Sequence, residues 1–522
     1  MPFQHRVRRY SLRVSIGFSE EQVSGKRGIV RHIDAIRKYA PFLHKHALIH
    51  IFVIVVAVYA MVAGERLDQP SPHFHFVDLA HSFMDGRLDT DTPRQRRGAK
   101  ANDQDPPGYR DAIERALEGG GWNDWSFIEK LTLKDGTVHE GRYPWRDGPK
   151  RHTFWTNKHE EVPDLRNMDL ARTCGEQGNR LCKERTYYIS FPPAPGVVMM
   201  PFAAIWNYDT NDVWITILFA GLNAMLLFIF LRLLVQRGHS QRSDGENLWL
   251  VALFAFGSVV FFSSVRGEVW FTALVFGVTF NLLYMLAALD LKHPILAGLM
   301  LGIGMATRTP IAFCVVFFAW QLFFPGNKWQ SDRWKEIFTK GALFAIPVLA
   351  VGIALMAYNE ARFGSAFEFG HSYLTGGAGA RVRDHGMFSS HWLNRNLSAA
   401  LTNMPVVDSV APYLKISKHG LGLLVTMPAL FLLARPARHA PIVRALWLTV
   451  IIAAIPALFY QNTGWEQFSY RLAMDYLPYL MALLAIGGRA LTWKVKLVFV
   501  FCIAINLFGA ITFTHFGSTF YN

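Results

Sequence analysis

Apolar runs close to bilayer-crossing length recur along this 522-residue chain, at 47–64, 211–234, 247–264, 267–290, 292–306, 309–325, 341–358, 418–434, 445–460, 475–488 and 496–515. A helix needs about 20 mostly apolar residues to cross the hydrocarbon, with about 17 as a lower limit. Such a chain cannot close around one water-soluble core, because lipid forces every backbone polar group to find its partner inside a helix or barrel. The runs at 292–306 and 475–488 fall short, so they are expected to borrow flanking aromatic residues or to end in a protein-lined cavity. The expected fold is an all-α membrane bundle of about 11 transmembrane helices.

One long hydrophilic stretch interrupts this pattern. Residues 65–190 hold 22 of the 39 acidic residues and 20 of the 53 basic ones, a balance of −2, while the rest of the chain carries +16. The chain therefore divides into a basic N-terminal segment (1–46), a first transmembrane helix (47–64), a loop module (65–190) and a polytopic domain (191–522) with a second loop at 359–418. Helix-like pieces at 74–85 and 109–118, Gly/Pro turns at 105–108 and 119–121, and strand-like runs at 126–133 and 137–139 make the module a large α+β insertion after the first helix. No internal repeat or low-complexity tract is visible.

The net charge of +14 invites a nucleic-acid reading, but the positions of the charges oppose it. Ten Lys/Arg against three acids precede the first apolar run, and the later basic clusters fall at Arg237/Arg242, Lys292, Lys328–Lys340, Arg435–Arg444 and Arg489–Lys496. Counting crossings puts every short basic loop on one side, as cytoplasmic loops require. This closes only if 195–208 is re-entrant. The expected location is a bacterial inner membrane, with the N-terminus cytoplasmic and the large loop periplasmic. Residues 28–46 read either as an interfacial basic helix or as a basic tail. A stretch of 46 residues before the apolar run is too long for the n-region of a signal peptide.

Cys314 and Cys502 fall in apolar runs as packing residues, whereas Cys174 and Cys182 lie in the outer loop, where a disulfide or two free thiols are both open. The outer connections also collect charges close to apolar runs: Arg266, Glu268, Arg308, Glu360, Arg362, Glu368, Glu466, Arg471 and Asp475. Ionisable groups at membrane depth are costly and tend to face a site, although single arginines also snorkel to headgroups. Arg471 and Asp475, four apart, have the spacing of a helical ion pair. A buried arginine such as Arg308 matches the oxygens of a phosphate.

The stretch 72–86 is expected as a short amphipathic helix on the outer surface, with Phe76, Ala80 and Phe83 on one face and His75, Asp78, Ser82 and Asp85 on another. A carboxylate there can act as a general base; the plainer alternative is a solvated helix face. Asp89-Thr90-Asp91, Asp103-Gln104-Asp105 and His73-Phe74-His75 have spacings that could hold a divalent metal, but matches of this kind arise by chance in so acidic a loop, and no cofactor is expected with certainty. Tyr187–Pro201, with four prolines, reads as a rigid, partly inserted hairpin that either joins loop to membrane or lines a groove for a lipid tail. The glycines at 376–379 read as a mobile hinge over the substrate.

The segments SFPPAPGVVMMPF (190–202), GIGMATRTP (302–310), YNEARFGSAFEFGHSYL (358–374) and GWEQFSYRLAMDYLP (464–478), with the large loop behind the first span, resemble the GT-C-fold glycosyltransferases, the group of the protein O-mannosyltransferases and the lipid A aminoarabinose transferase. The resemblance implies a polyprenyl-phosphate sugar donor entering from the membrane, a lipid, glycan or protein acceptor, a carboxylate base early in the outer loop and basic residues on the leaving phosphate. In better-known branches an Asp-Glu pair opens the juxtamembrane helix; here Pro72 and His73 occupy that place, so Asp78, then Asp89, then Glu268 stand as base candidates. Arg266, Arg308, His371, Glu466, Tyr470, Arg471 and Asp475 are the candidate substrate-binding residues. The expected activity is sugar transfer at the periplasmic face, with a lipid or solute transporter as the alternative and a non-catalytic scaffold as a further one. A transporter would show inverted or broken-helix symmetry between halves, and none is visible.

Overall fold

A computed structural model describes residues 46–90, 125–133, 135–142, 154–157, 160–162, 183–371 and 384–521. The basic segment before residue 46, the Asp91, Asp103 and Asp105 positions, the 109–118 helix, Cys174 and Cys182, and the glycines at 376–379 lie outside the described residues.

Among the described residues, five helices are long and apolar enough to cross a membrane, which corrects the expectation of about 11. They are α1 (Ala47–Ala63, continued by a 3₁₀ turn to Leu67), α4 (Asp212–Gln236), α6 (Glu268–Ala288), α8 (Trp334–Phe363) and α11 (Trp493–His515). Between them lie α2 (His75–Met84), α3 (Ala194–Trp206), α5 (Asp244–Phe256), α7 (Pro294–Thr307), α9 (Val443–Phe459) and α10 (Leu477–Ile486).

The shortfall has a local cause. The apolar run 247–264 breaks after Phe256 into a 13-residue and a five-residue helix, and 309–325 into a six-residue 3₁₀ segment, led by Pro310, and a nine-residue helix. The run 418–434 yields only Leu423–Thr426 and the 3₁₀ segment Pro428–Ala434. Proline lacks the amide for a helical bond and suits first turns, so each Pro restarts the chain instead of prolonging a span. The hydropathy sum does not register these breaks. The molecule is an α-helical membrane protein with a small β-sheet.

Helix starts follow capping chemistry. The Asn211 side chain accepts from Val213 N (3.0 Å) and Trp214 N (3.1 Å) to open α4, and Ser243 with Glu246 forms a reciprocal capping box on α5. Tyr187–Pro201 departs from the expected hairpin: α3 begins directly behind the prolines, with Pro195 in its first turn, where a missing amide costs nothing, and Pro201 inside.

Burial ranks the long helices. In α6, 83% of the spanning window is buried, against 6% in α8, so α6 runs through the bundle and α8 lines its edge. α8 is nonetheless held tightly to α7. Gly298 and Gly302, one turn apart, present bare backbone; a Cβ on Gly298 would come within 2.7 Å of Pro347 Cγ, and one on Gly302 within 3.0 Å of Val351 Cγ2. This small-xxx-small spacing lets two membrane helices approach closely.

The loop module contains one five-stranded sheet in the order β4-β3-β2-β1-β5, all antiparallel neighbours: β1 (Trp125–Thr132), β2 (Val138–Arg142), β3 (Phe154–Thr156), β4 (Glu161–Val162) and β5 (Lys183–Ile189). Strand β5 leads directly into the proline segment and α3. A bridge from Thr90 to Tyr187 ties the end of the 75–90 segment to the sheet. Helix α2 is not on the surface as its amphipathic pattern suggested. His75 to Ser82 are all buried, in part because Phe74, Phe76, Val77 and Ala80 pack with Met199, Ala203, Tyr208 and the start of α6. Where both faces of a short helix are covered, a polar face does not mean solvent.

Candidate active site

Charge at the start of α6 is held by the backbone turn before it. Gly267 and Glu268 both have positive φ (64° and 66°), and a Cβ on Gly267 would come within 3.0 Å of the Val213 backbone nitrogen, so only glycine fits there. The turn aims the Glu268 amide at Asp212 Oδ2 (2.9 Å), and Asp212 also accepts from Ser71 N (2.8 Å) and Ser71 Oγ (2.6 Å). One buried carboxylate thus joins the segment after α1 to the first turns of α4 and α6. Glu268 Oε1 in turn receives Arg266 Nε (3.1 Å) and Nη2 (2.9 Å), with Arg66 Nη1 at 3.3 Å. Arg266 also donates to the Phe513 carbonyl at 3.0 Å and lies over the Phe513 ring. His73 sits beside this cluster with its ring 4.6 Å from that of Trp270. Burial holds its imidazole below the ordinary value, against the pull of Glu268 and Glu466 and with the push of Arg266 and Arg66.

Asp78, the first base candidate, is buried on α2, where Tyr208 Oη donates to its Oδ1 at 2.9 Å. The same tyrosine ring stacks on His81 at 4.2 Å. Asp89 lies half-buried next to Thr90 and acts electrostatically on Tyr188 of β5, as does Arg362 of α8.

Deeper in the bundle, Arg308 and Asp475 form a two-pronged ion pair, Nε to Oδ1 at 2.6 Å and Nη2 to Oδ2 at 2.8 Å, with Asp475 buried. This replaces the expected pairing of Arg471 with Asp475. Residues Arg471–Asp475 form a 3₁₀ helix, in which positions three apart, not four, share a face. Arg471 instead binds the Gly464 carbonyl and lies over the Phe271 ring. Asn281 donates to the Asp475 carbonyl (2.7 Å) and accepts from Tyr479 Oη (2.7 Å). Arg308 packs on Gly277, nine residues into α6 from Glu268, so the pair lies about 14 Å along the helix from the Glu268 cluster. Tyr470 is fully buried, and its hydroxyl has no hydrogen-bond partner among the described residues.

Where the chain passes Thr309, behind α7, opens a groove of roughly 120 Å³. Its walls are the proline segment Ser190–Pro193, Met305 and Thr309 at the end of α7, Leu355 and Met356 on the edge helix α8, and Phe367 and Phe369 beyond it. Arg362 closes one end, donating to the Ile189 carbonyl (2.8 Å) and to Asn359 Oδ1 (3.0 Å). The remaining candidates lie apart. Glu466 is exposed and pairs with Lys418 at 3.0 Å. His371 ends the described stretch, and burial lowers its pKa against the nearby Glu368.

The fold therefore joins Arg266 with Glu268 and Arg308 with Asp475, with Tyr470 and Arg471 nearby, leaves Asp78, Asp89 and His371 separate, and brings the exposed Glu466 close enough to act on His73 beside the Glu268 cluster. Reading the residues alone missed Arg66, Asp212 and Asn281, and singled out Arg362 only as one of the outer-face charges. Their signal was present, since each is a polar group inside or at the end of an apolar run. Among the described residues, no group of three or more His, Cys, Asp or Glu is placed to hold a metal ion.

Residues 188–400, which contain the end of β5, the proline segment, the groove and Arg308, match the model of glycosyltransferase family 87. That match supports a glycosyltransferase, and hence an enzyme, built on this membrane-embedded core. Among solved structures the chain is similar to the oligosaccharyltransferase of Archaeoglobus fulgidus in its apo form, at 10% identity and a TM-score of 0.43. That likeness covers 91% of this chain and 56% of the other, so this chain spans little more than half of that protein's length, and no residue is compared through it. No curated protein matches the chain.

Proposed function

We propose that the protein transfers a sugar from a polyprenyl-phosphate donor to an acceptor on the sheet-bearing side of the membrane. One observation carries this reading: the apolar groove between the proline segment and the edge helix α8 is lined at one end by the Arg362 side chain and reaches Thr309, the chain neighbour of Arg308. An isoprenoid chain suits the groove's apolar walls, and a phosphate suits a cation at its end. With the basic loops at Arg237, Lys292, Arg438 and Arg489 facing the cytoplasm, the sheet module lies outside a bacterial inner membrane.

In the reaction the acceptor oxygen bonds to the anomeric carbon as the carbon–oxygen bond to phosphate breaks. The polyprenyl phosphate leaves with the electron pair, and the acceptor proton passes to a carboxylate. Arg308, held in place by Asp475, stabilises the charge growing on phosphate. Of the three base candidates, Asp89 is half-buried and close to Tyr188, whose other charged neighbours are Arg362 of the groove and Glu140 of β2. Asp78 is covered by Tyr208, and Glu268 is held by two guanidinium groups. Asp89 is therefore the leading proton acceptor, with Asp78 and Glu268 as the comparison.

The test is transfer of labelled sugar from a panel of polyprenyl-phosphate donors by the purified full chain. Wild type should transfer, and Asp89→Asn and Arg308→Lys should each lose about 100-fold or more while remaining folded. Lipid translocation without transfer in reconstituted vesicles would sink the proposal.

A further inference from the structure

The second outer loop carries a two-stranded hairpin, β6 (Val406–Val407) with the half-buried β7 (Leu414–Lys415), whose first strand and tip present exposed apolar side chains. Val406, Val407, Val410 and Tyr413 are 59%, 81%, 66% and 63% exposed, and Met404 just before them 64%. An isolated two-stranded hairpin is marginal in water, and one with apolar residues on both sides has no face that water favours. Its internal bonds are the two strand pairs, Asp408 N to the Tyr413 carbonyl at 2.9 Å, Tyr413 N to the Val410 carbonyl at 2.9 Å, Val410 N to Asp408 Oδ1 at 3.4 Å, and a Lys415–Asp408 ion pair at 3.1 Å.

Its height is set by a membrane helix. Ile416, the residue after β7, donates to the Phe520 carbonyl at 2.8 Å and bridges Tyr521, just past the end of α11. At 23 residues α11 is about 34 Å long, so its ends lie at the two bilayer surfaces. The aromatic residues Trp493 at its start and Phe516 after its end are both exposed, as interface anchors are. The hairpin therefore leaves the bundle at the level of the headgroups.

We infer that the 404–413 hairpin is a membrane-dipping element whose apolar tip is seated in the interfacial zone of the bilayer at the α11 C-terminal surface. The ion pair limits the depth. Asp408 and Lys415 stay in the headgroup region while Val410, beyond them at the tip, and the long side chain of Tyr413 reach the acyl boundary, the depth at which interfacial elements lie. The occupant is lipid and not a protein, because the exposed aliphatic side chains leave the bundle level with the end of a helix long enough to cross the bilayer.

The inference is tested on the full chain in nanodiscs of phosphatidylcholine containing a phospholipid with a photoreactive diazirine at the top of its acyl chain. Labelled peptides are located by mass spectrometry. The 404–415 peptide should be labelled strongly and the exposed β1–β2 turn (135–138) should not. Val407→Ser with Val410→Ser should cut labelling roughly tenfold without changing the melting temperature in detergent. Should that pair of substitutions unfold the chain, Tyr413→Ser alone serves, with a smaller loss expected. Labelling of the hairpin no stronger than that of the β1–β2 turn overturns the inference. So does a hairpin-to-hairpin crosslink between two copies in place of lipid labelling.

Discussion

Single carboxylates hold this protein together at two levels. Asp212 accepts three hydrogen bonds, two of them from backbone amides, and joins three chain segments that are otherwise separate. Asp212→Ala leaves those buried donors unpaired and is expected to cost about 3 kcal/mol or more, read as a lower melting temperature in detergent. Asp475→Ala strands the Arg308 guanidinium, and removing one partner of a buried pair costs about 3–5 kcal/mol; Arg308→Met with Asp475→Leu should recover much of that stability while transfer stays lost. His73 adds a pH dependence. Burial puts its folded pKa below the unfolded value of 6.5, so below pH 6.5 the unfolded state binds the proton more readily. Stability is therefore complete above pH 6.5 and declines as pH falls from there toward the folded pKa. His73→Gln should flatten that part of a stability-against-pH curve.

At the scale of elements, the packing of α7 on α8 depends on absent side chains. Gly298→Leu places atoms where the Phe344 backbone and Pro347 already lie, and is expected to destabilise by about 3 kcal/mol or to displace α8. Because α8 forms one wall of the groove, Gly298→Leu should also weaken binding of a long-chain polyprenyl phosphate more than that of a short-chain analogue, measured by competition. The elements that were legible in advance were those whose pattern is local: α2 at 75–84, strands at 125–132 and 138–142, and the five long helices. The short ones were not. Hydropathy averaged over a run does not see that Pro310 or Pro428 starts a new turn, so 309–325 and 418–434 counted as spans.

Across the whole molecule, the end with Arg237, Lys292, Arg438 and Arg489 opposes the end that carries the sheet. A membrane-impermeant thiol reagent should modify Asp135→Cys in intact cells, and Arg438→Cys only after the membrane is permeabilised, each scored against the unsubstituted chain. The reverse pattern would invert the proposed orientation and with it the site of transfer. The sequence by itself determined that this is a membrane protein and marked several of the charges that lie close to apolar runs, because apolar runs and charges are properties of neighbours along the chain. Only the tertiary structure decided that Arg308 meets Asp475, 167 residues away, that Arg66 meets Glu268, 202 residues away, and that the prolines at 192–193 face α8 across a groove. Those partners are chosen by which helices can approach closely, and close approach is set by glycines, breaks and turns acting together across the bundle.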